Sequence, residues 1–347
     1  MAHTLCTFNA NNLFARYRFG EVFPGDRTRK SAAEAGWAYL PMNTEGTIEL
    51  FNEIQRELSA RSICRGKSSP KAADFPDILC LQEVESLLAL RKFNQDYLQG
   101  VYPYAVLLDG RDLRQIDVAV LSKLPITRVR THIDDPDPKA TKDSPYLFSR
   151  DCLEVDIELN KSGKTLTLFV NHLKSKFAET AAQTKSGNAK RERQAKAVLY
   201  IVKSRFPNLN KGLYTVLGDL NDEPESAPMK SLVKNSPLIN ALDRISKQEE
   251  RWTHWYRSEN SVGQLDYILL SPELDKATKS VQPHIERGGI SFARYLKSGD
   301  VGPQYTWFKR KDDDPKPIQV PFQFKRFKGV TPQDYASDHC PVFLEIP

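Results

Sequence analysis

The chain has 347 residues, 40% of them apolar and 10% aromatic, ample for a buried core. Fifty Lys+Arg against 44 Asp+Glu leave a net charge of +6, which suits a polyanionic substrate better than a cationic one. No apolar run approaches the ~20 residues that a membrane-spanning helix needs, and no apolar signal core follows Met1, so a cytoplasmic protein without stable membrane association is expected. The five cysteines (Cys6, Cys64, Cys80, Cys152, Cys340) are scattered and lack CxxC spacing, which fits a reduced compartment.

Short apolar, β-branched runs read as strands at Thr4–Phe8, Ile78–Leu81, Tyr104–Leu108, Ile116–Leu121, Leu153–Leu159, Thr165–Val170, Tyr214–Leu217, Leu265–Leu270 and Val342–Ile346. Between them, "TIELFNEIQRELSARSI" predicts a helix with Ile48, Phe51, Ile54 and Leu58 on one face. "VESLLALRKFNQDYL" does the same with Val84, Leu87, Leu88 and Phe93, and "KRERQAKAVLYIVKSRF" with Ala195, Val198, Leu199 and Val202. Strands interleaved with helices imply an α/β architecture, and a hairpin at Ser162-Gly163 means that the sheets are not purely parallel. One domain over residues 1–347 is expected, monomeric, with insertions at about 14–75 and 284–330 and a shorter one at Asp134–Tyr146. The insertion His284–Val330 holds ten Lys/Arg against five Asp/Glu, interleaved with aromatics in "QYTWFKRK" and "FQFKRFK".

Isolated polar residues cluster where these strands end. Asn9 closes "CTFNANN", Glu83 "DILCLQEVE", His172 "LTLFVNHLKSK", and Asp219 with Asn221 "TVLGDLND". Asp266 lies in "GQLDYILL", and Asp338-His339 precede the last strand. Each also has an ordinary structural reading. Glu83 could cap the next helix, His172 could be a satisfied core histidine, and Asp338 could start a turn. Asp266 is harder to dismiss, because a carboxylate buried in an apolar strand needs a partner. Asp219 and Asn221 are two apart, so in extended chain both point to one side, whereas Asp222 reads as a solvated turn residue. The whole set is rich in carboxylate and amide oxygens that suit a hard cation such as Mg²⁺. Zinc spacing, a phosphate-cradling GxxxxGK[ST] loop and a GxSxG elbow are absent.

The motifs "TFNANNL", "PDILCLQEVE", "IDVAVLSK", "NHLKSK", "LGDLND", "QLDYILLS" and "SDHCPVFLEI", in this order, resemble those of the endonuclease/exonuclease/phosphatase superfamily. The pair "NHLKSK" and "GDLND" is most similar to bacterial extracellular-type nucleases of that group, whose signal peptide this chain lacks. The resemblance implies a four-layer α/β/β/α sandwich in which two mainly antiparallel sheets pack face to face. It also implies Mg²⁺, with Mn²⁺ as an alternative, on Glu83, Asn9 and Asp338. Asp219 would activate water beside Asn221, which binds phosphate. His339, oriented by Asp266, would contact phosphate oxygens, and His172 would help the leaving oxygen depart. Asn11, Arg114 and Asp117 are placed on the substrate side, Asp117 also as a partner that orients His172.

The function these readings favour is metal-assisted hydrolysis of nucleic acid, DNA or RNA, by a nuclease. The alternative is a phosphatase or phosphodiesterase of lipid headgroups, inositol phosphates or small phosphoesters. The long gaps from Asn9 to Glu83 and from Asp266 to Asp338 leave substrate choice to loops rather than to the catalytic set.

Overall fold

The computed structural model describes residues 2–18, 37–38, 47–141, 144–160, 162–176, 180–291, 305–308, 318–321 and 325–347. Twelve strands build its two main sheets. They are β1 (His3–Leu13), β2 (Ile78–Val84), β3 (Tyr104–Leu107), β4 (Asp117–Ser122), β5 (Ile126–Arg130), β6 (Cys152–Glu158), β7 (Thr165–His172), β8 (Tyr214–Asp219), β9 (Ile239–Asn240), β10 (Asp266–Leu270), β11 (His284–Ile285) and β12 (Val342–Ile346). The first sheet runs β11-β12-β1-β2-β4-β3 and the second β9-β10-β8-β7-β6-β5. Only the central pairs β1/β2 and β7/β8 are parallel; every other neighbour is antiparallel.

Side-chain alternation along the strands builds three apolar layers. On β2, Ile78 and Cys80 join Leu166, Leu168 and Val170 of β7 in the core between the sheets. Leu79 and Leu81 face the other way, toward α1 (Glu53–Ile63) and α2 (Leu87–Tyr97), where Leu58, Ile63, Leu90 and Phe93 meet them. The outer face of the second sheet packs Phe169, Tyr214 and Val216 against Val198 and Val202 of α3 (Ala181–Arg205). Both faces of the central strands are therefore buried, which is why their sequences read as continuous apolar runs. Each fully buried Leu or Phe contributes roughly 1.5–3 kcal/mol. The result is the expected α/β/β/α sandwich.

Helix positions depart from the sequence reading. Residues Thr47–Leu50 form a strand paired with Ala15–Arg18, so α1 starts only after Asn52, whose Oδ1 accepts from Gln55 N at 3.4 Å. Ile54 is then 49% exposed, and the buried stripe of α1 is instead Gln55, Arg56, Ser59 and Ser62 with Leu58 and Ile63. On α2, Leu88 is exposed while Ala89, Leu90 and Phe93 are buried. Its N-cap is Ser86, which accepts from Ala89 N at 3.2 Å, so Glu83 does not serve as the cap. A Thr180/Gln183 capping box starts α3 well before Lys190 and extends it to 25 residues.

The Asp134–Tyr146 segment contains a hairpin, Pro136–Thr141 with Ser144–Tyr146, held to α3 by a bidentate Arg193–Asp137 pair at 2.9 and 2.8 Å. Of the 284–330 insertion, Tyr305–Phe308 pairs with Ser261–Gly263 and Ile318–Pro321, and most of its Lys and Arg lie outside the described residues. Arg326 donates to Ile290 O and Ser291 O and lies 4.9 Å from the Trp255 ring, while Phe327 packs on the α1 layer. Among the described residues no helix is long and apolar enough to cross a membrane.

Candidate active site

Strand register assembles the site. His172 is the cross-strand neighbour of Asp219, and Asp219 that of Asp266, so three polar residues stand side by side at the ends of β7, β8 and β10. In the facing sheet, Asn9 sits beside Gln82 across β1 and β2. Both parallel pairs end at the same edge of the sandwich, and the two sheets meet there. Asn9 Nδ2 donates to Asp219 Oδ2 at 3.0 Å.

Asp219 is the centre of the cluster. Its Oδ1 accepts from Asn221 N at 2.8 Å and its Oδ2 from Asn221 Nδ2 at 3.2 Å. Asn221 does not point alongside it in extended chain. It adopts a left-handed conformation, φ 57°, and folds back onto the carboxylate, with Nδ2 also donating to Leu173 O at 3.1 Å. Gly218 permits this end of the strand: its φ is 121°, and a Cβ there would lie 2.0 Å from Asn171 O. Around Oδ2 stand His172 Nε2 at 3.4 Å and His339 Nε2 at 3.6 Å. Burial, above all, pushes the Asp219 carboxyl up to about 7, with the nearby Asp266 adding to it and His339 and Asn9 opposing it.

The two histidines differ in state. His339 Nδ1 contacts Asp266 Oδ2 at 2.8 Å. Burial disfavours its cation, but Asp266 and Asp219 outweigh burial and raise it to about 10. His172 is buried, with Arg150 Nη1 2.6 Å from its Nε2, and burial followed by Arg150 and His339 drives it well below the ordinary imidazole range. At neutral pH the first imidazole is a cation and the second is neutral, accepting from the guanidinium.

The structure also brings Glu83 and Asp338 to this edge. Glu83 takes φ 63° at a β-bulge, where its Oε2 accepts from Asn12 N at 3.1 Å and its Oε1 lies 3.9 Å from His172 Nε2. Burial, and then the charge of Asp338, raise its carboxyl above the usual range. Burial opposes ionisation of Asp338 too, yet His254 and His339 hold that carboxyl well below its ordinary value. Asn11, φ 49°, donates its backbone N to Asn9 Oδ1 at 3.0 Å and its side-chain oxygen accepts from Asn12.

The placements of Asp117 and Asp222 revise the sequence reading, and that of Arg114 does not. Asp117 accepts from Gly110 N at 3.0 Å, while the Nε2 of His172 is met by Arg150 and its Nδ1 has no hydrogen-bond partner among the described residues. Arg114 is largely exposed, at 3.5 Å from Asp112, and its charge reaches Glu83 and His172. Asp222 is not a solvated turn residue: it is 3% exposed, pairs with the fully buried Arg191 at 2.9 Å and with Lys176 at 3.0 Å, and its carbonyl accepts from Tyr267 OH at 2.6 Å. Arg191 and Arg193 are both engaged by carboxylates, Asp222 and Asp137.

Sequence reasoning missed Arg150 and His254. Arg150, in "FSRDCLEV", is buried between Asp112 and His172; a charged residue directly before a strand was its only signal. His254 starts the short strand His254–Tyr256, bridges the backbone of His339, and sets its Nε2 3.6 Å from Asp338 Oδ2. Among the described residues, His254, Asp338 and His339 form one group whose donor atoms all lie within 4.8 Å, and Asp219, Asp266 and His339 form another.

These donors fit a divalent cation. Glu83 and Asp338 are carboxylates at the same edge, and the charge of Asp338 disfavours that of Glu83, which a cation between protein and substrate relieves. Asp266 Oδ1 is buried without a hydrogen-bond partner among the described residues, a further oxygen that a cation or its water could use.

Comparison with known proteins bears on the family and the fold. Residues 7–339 match the Endonuclease/Exonuclease/phosphatase family. No curated protein matches the chain in sequence. Among solved structures, truncated TDP2 from Caenorhabditis elegans is similar over 100% of this chain and 98% of its own, with 14% identity and a TM-score of 0.54. An endonuclease/exonuclease/phosphatase family protein from Bacteroides thetaiotaomicron covers 100% and 98%, with 16% identity and a TM-score of 0.53. Sphingomyelinase C from Streptomyces griseocarneus covers 100% of both chains, with 16% identity and a TM-score of 0.51. At these identities the likeness shows the fold, and the family rests on the sequence match: the chain belongs to the endonuclease/exonuclease/phosphatase family and is a metal-dependent phosphoesterase.

Proposed function

We propose that the protein is a Mg²⁺-dependent phosphodiesterase of nucleic acid, cutting the DNA backbone by direct attack of water on phosphorus. The observation that carries the chemistry is Asp219 Oδ2, a buried carboxylate oxygen raised toward neutrality with Asn9 on one side and two imidazoles on the other. A base of that kind takes a proton from water efficiently near neutral pH, a contribution of roughly 10²–10⁴-fold. Asn9 and Asn221 fix its orientation. Asn221 already uses its amide nitrogen on Asp219 and Leu173, so we assign it to hold the base rather than the phosphate.

His339, kept cationic by Asp266, is suited to a non-bridging phosphate oxygen. His172, neutral and accepting from Arg150, is suited to align water or the leaving oxygen, and Arg150 supplies charge to the same phosphate. Glu83 and Asp338, with Asn9 close by, would hold the metal, which when bound neutralises charge that develops on the phosphoryl oxygens.

The substrate reading rests on the cations around this centre. Lys174 and Lys190 are both depressed, first by burial, and then by repulsion that includes Arg150 in each case and Arg114 for Lys174. Four cations close enough to repel one another suit a chain with phosphates on both sides of the scissile one. Asp112 and Asp137 offset part of this charge, and the remainder suits a polyanion. The test is a panel of plasmid, single-stranded DNA, RNA, an abasic duplex, bis-p-nitrophenyl phosphate, sphingomyelin and inositol phosphates, each with Mg²⁺, Mn²⁺ or EDTA. Nicking of plasmid that requires Mg²⁺ or Mn²⁺ is expected. Hydrolysis of sphingomyelin or an inositol phosphate with intact plasmid would overturn the nucleic-acid reading.

A further inference from the structure

The buried stripe of α1 is polar where packing alone calls for apolar residues. Arg56 is fully buried and, among the described residues, has no carboxylate within ion-pair distance. Its Nη1 donates to Ala10 O at 3.2 Å and its Nη2 to Asn11 O at 3.4 Å, while Nε has no hydrogen-bond partner among the described residues. Burial alone pulls the guanidinium down to about 9. Such a group opposes folding, because two carbonyls do not replace the water that a guanidinium loses.

The neighbours of Arg56 show what it holds. Gln55 Nε2 donates both to Asn11 O at 3.2 Å and to Ala336 O at 3.2 Å, so one amide joins two loops that are 325 residues apart in sequence numbering (336 − 11). Ser59 Oγ lies 3.2 Å from the same Ala336 O. The first of these is the irregular end of β1, which carries Asn9 and offers Asn12 N to Glu83, with Asn11 and Asn12 both at positive φ. The second leads through Ser337, whose hydroxyl donates to Asn9 O at 2.8 Å, into Asp338. Every residue expected at the metal is therefore on a loop that α1 grips by its carbonyls, or is bonded to one.

We propose that Gln55 and Arg56 are positioning residues for the metal centre, clamping the Asn9–Asn12 and Ala336–Asp338 loops so that Glu83, Asn9 and Asp338 converge. This rests on the metal-dependent reading above and deepens it. Helix α1 lies within the first insertion, so it ties that insertion to the chemistry. Outer residues that fix ligand geometry typically carry 10–100-fold in metal affinity.

The clamp predicts opposite signs for two readouts. Full-length Arg56→Met keeps the bulk of the stem and removes the unpaired charge, so its melting temperature in EDTA should equal or exceed that of wild type. Its Mn²⁺ dissociation constant, followed by EPR of free Mn²⁺, should rise about 10–100-fold. Arg56→Lys keeps the charge and loses the fork, and should weaken Mn²⁺ binding in the same way. Gln55→Leu tests the bridge independently, should Arg56 variants fail to fold. Unchanged Mn²⁺ affinity in folded Arg56→Met and Gln55→Leu would make α1 a structural element only. Wild-type affinity in Arg56→Lys, or tighter binding in Arg56→Met, would assign the effect to charge and overturn the clamp. Absence of Mn²⁺ binding by the wild type would overturn the metal centre along with it.

Discussion

Asn9 and Asp219, 210 residues apart, share a 3.0 Å hydrogen bond that joins the edge of one sheet to the edge of the other. Together with the 2.8 Å contact between His339 and Asp266, it joins the two sheets at one centre. Asn9→Ala should leave the Asp219 carboxylate less well oriented and lower kcat/KM on plasmid about 10–100-fold. Asp219→Ala should remove about 10²–10⁴-fold or more. The Asp219 carboxyl is raised in the folded state, so its ionised form opposes folding above the ordinary carboxylate range. Asp219→Asn in EDTA at pH 8 should accordingly melt no lower than wild type, measured by circular dichroism.

Asp222 gives the opposite sign. Burial raises its carboxyl, but Lys176 and Arg191 outweigh burial and hold it below the ordinary value. Its contribution to stability is therefore present above the unfolded carboxylate pKa of about 4 and lost as pH falls through the lower folded value. Asp222→Ala strands the fully buried Arg191 guanidinium and should destabilise by about 3–5 kcal/mol at pH 7, with the difference from wild type shrinking toward pH 3. Urea titrations at both pH values measure it.

Arg150 joins Asp112 to His172 in a buried line. Arg150→Met should lower kcat/KM on both plasmid and bis-p-nitrophenyl phosphate, because the proposed partner of Arg150 is the scissile phosphate itself. A loss confined to plasmid would instead assign Arg150 to flanking phosphates. The size expected is about 10²-fold, the scale for removing one donor to transition-state charge.

Gly218 sets the end of β8. A methyl group there meets Asn171 O at 2.0 Å, on a backbone with φ 121° that side chains rarely adopt. Gly218→Ala should destabilise by at least about 1–3 kcal/mol and lower activity further than the lost stability explains, read from activity of the fraction that remains folded.

Much of the fold was legible because period-2 alternation and double burial leave a direct mark: Ile78–Val84 and Tyr214–Asp219 are apolar since both their faces are covered. Motif order was enough to bring Glu83, His172, Asp219, Asp266 and His339 to one edge, since strand ends fix where their residues stand. What the sequence hid depends on tertiary direction. Helix α1 was misphased because its buried stripe is Gln55, Arg56 and Ser59, and hydrophobic periodicity cannot register a polar buried face. Asp222 looked like a turn residue because its partners, Arg191 and Lys176, come from a helix and a loop some distance along the chain. Arg150 and His254 were invisible for the same reason: each is a single charged or polar residue whose meaning lies in the side chain it faces.

The central claim, that the Asp219-centred edge is a metal-dependent phosphodiesterase site, is tested most directly by plasmid nicking with wild type and Asp219→Ala, each with Mg²⁺ and with EDTA. The account predicts nicking by the wild type with Mg²⁺, none in EDTA, and none by a variant whose circular dichroism matches the wild type. Nicking that persists in EDTA, or in folded Asp219→Ala, would contradict it.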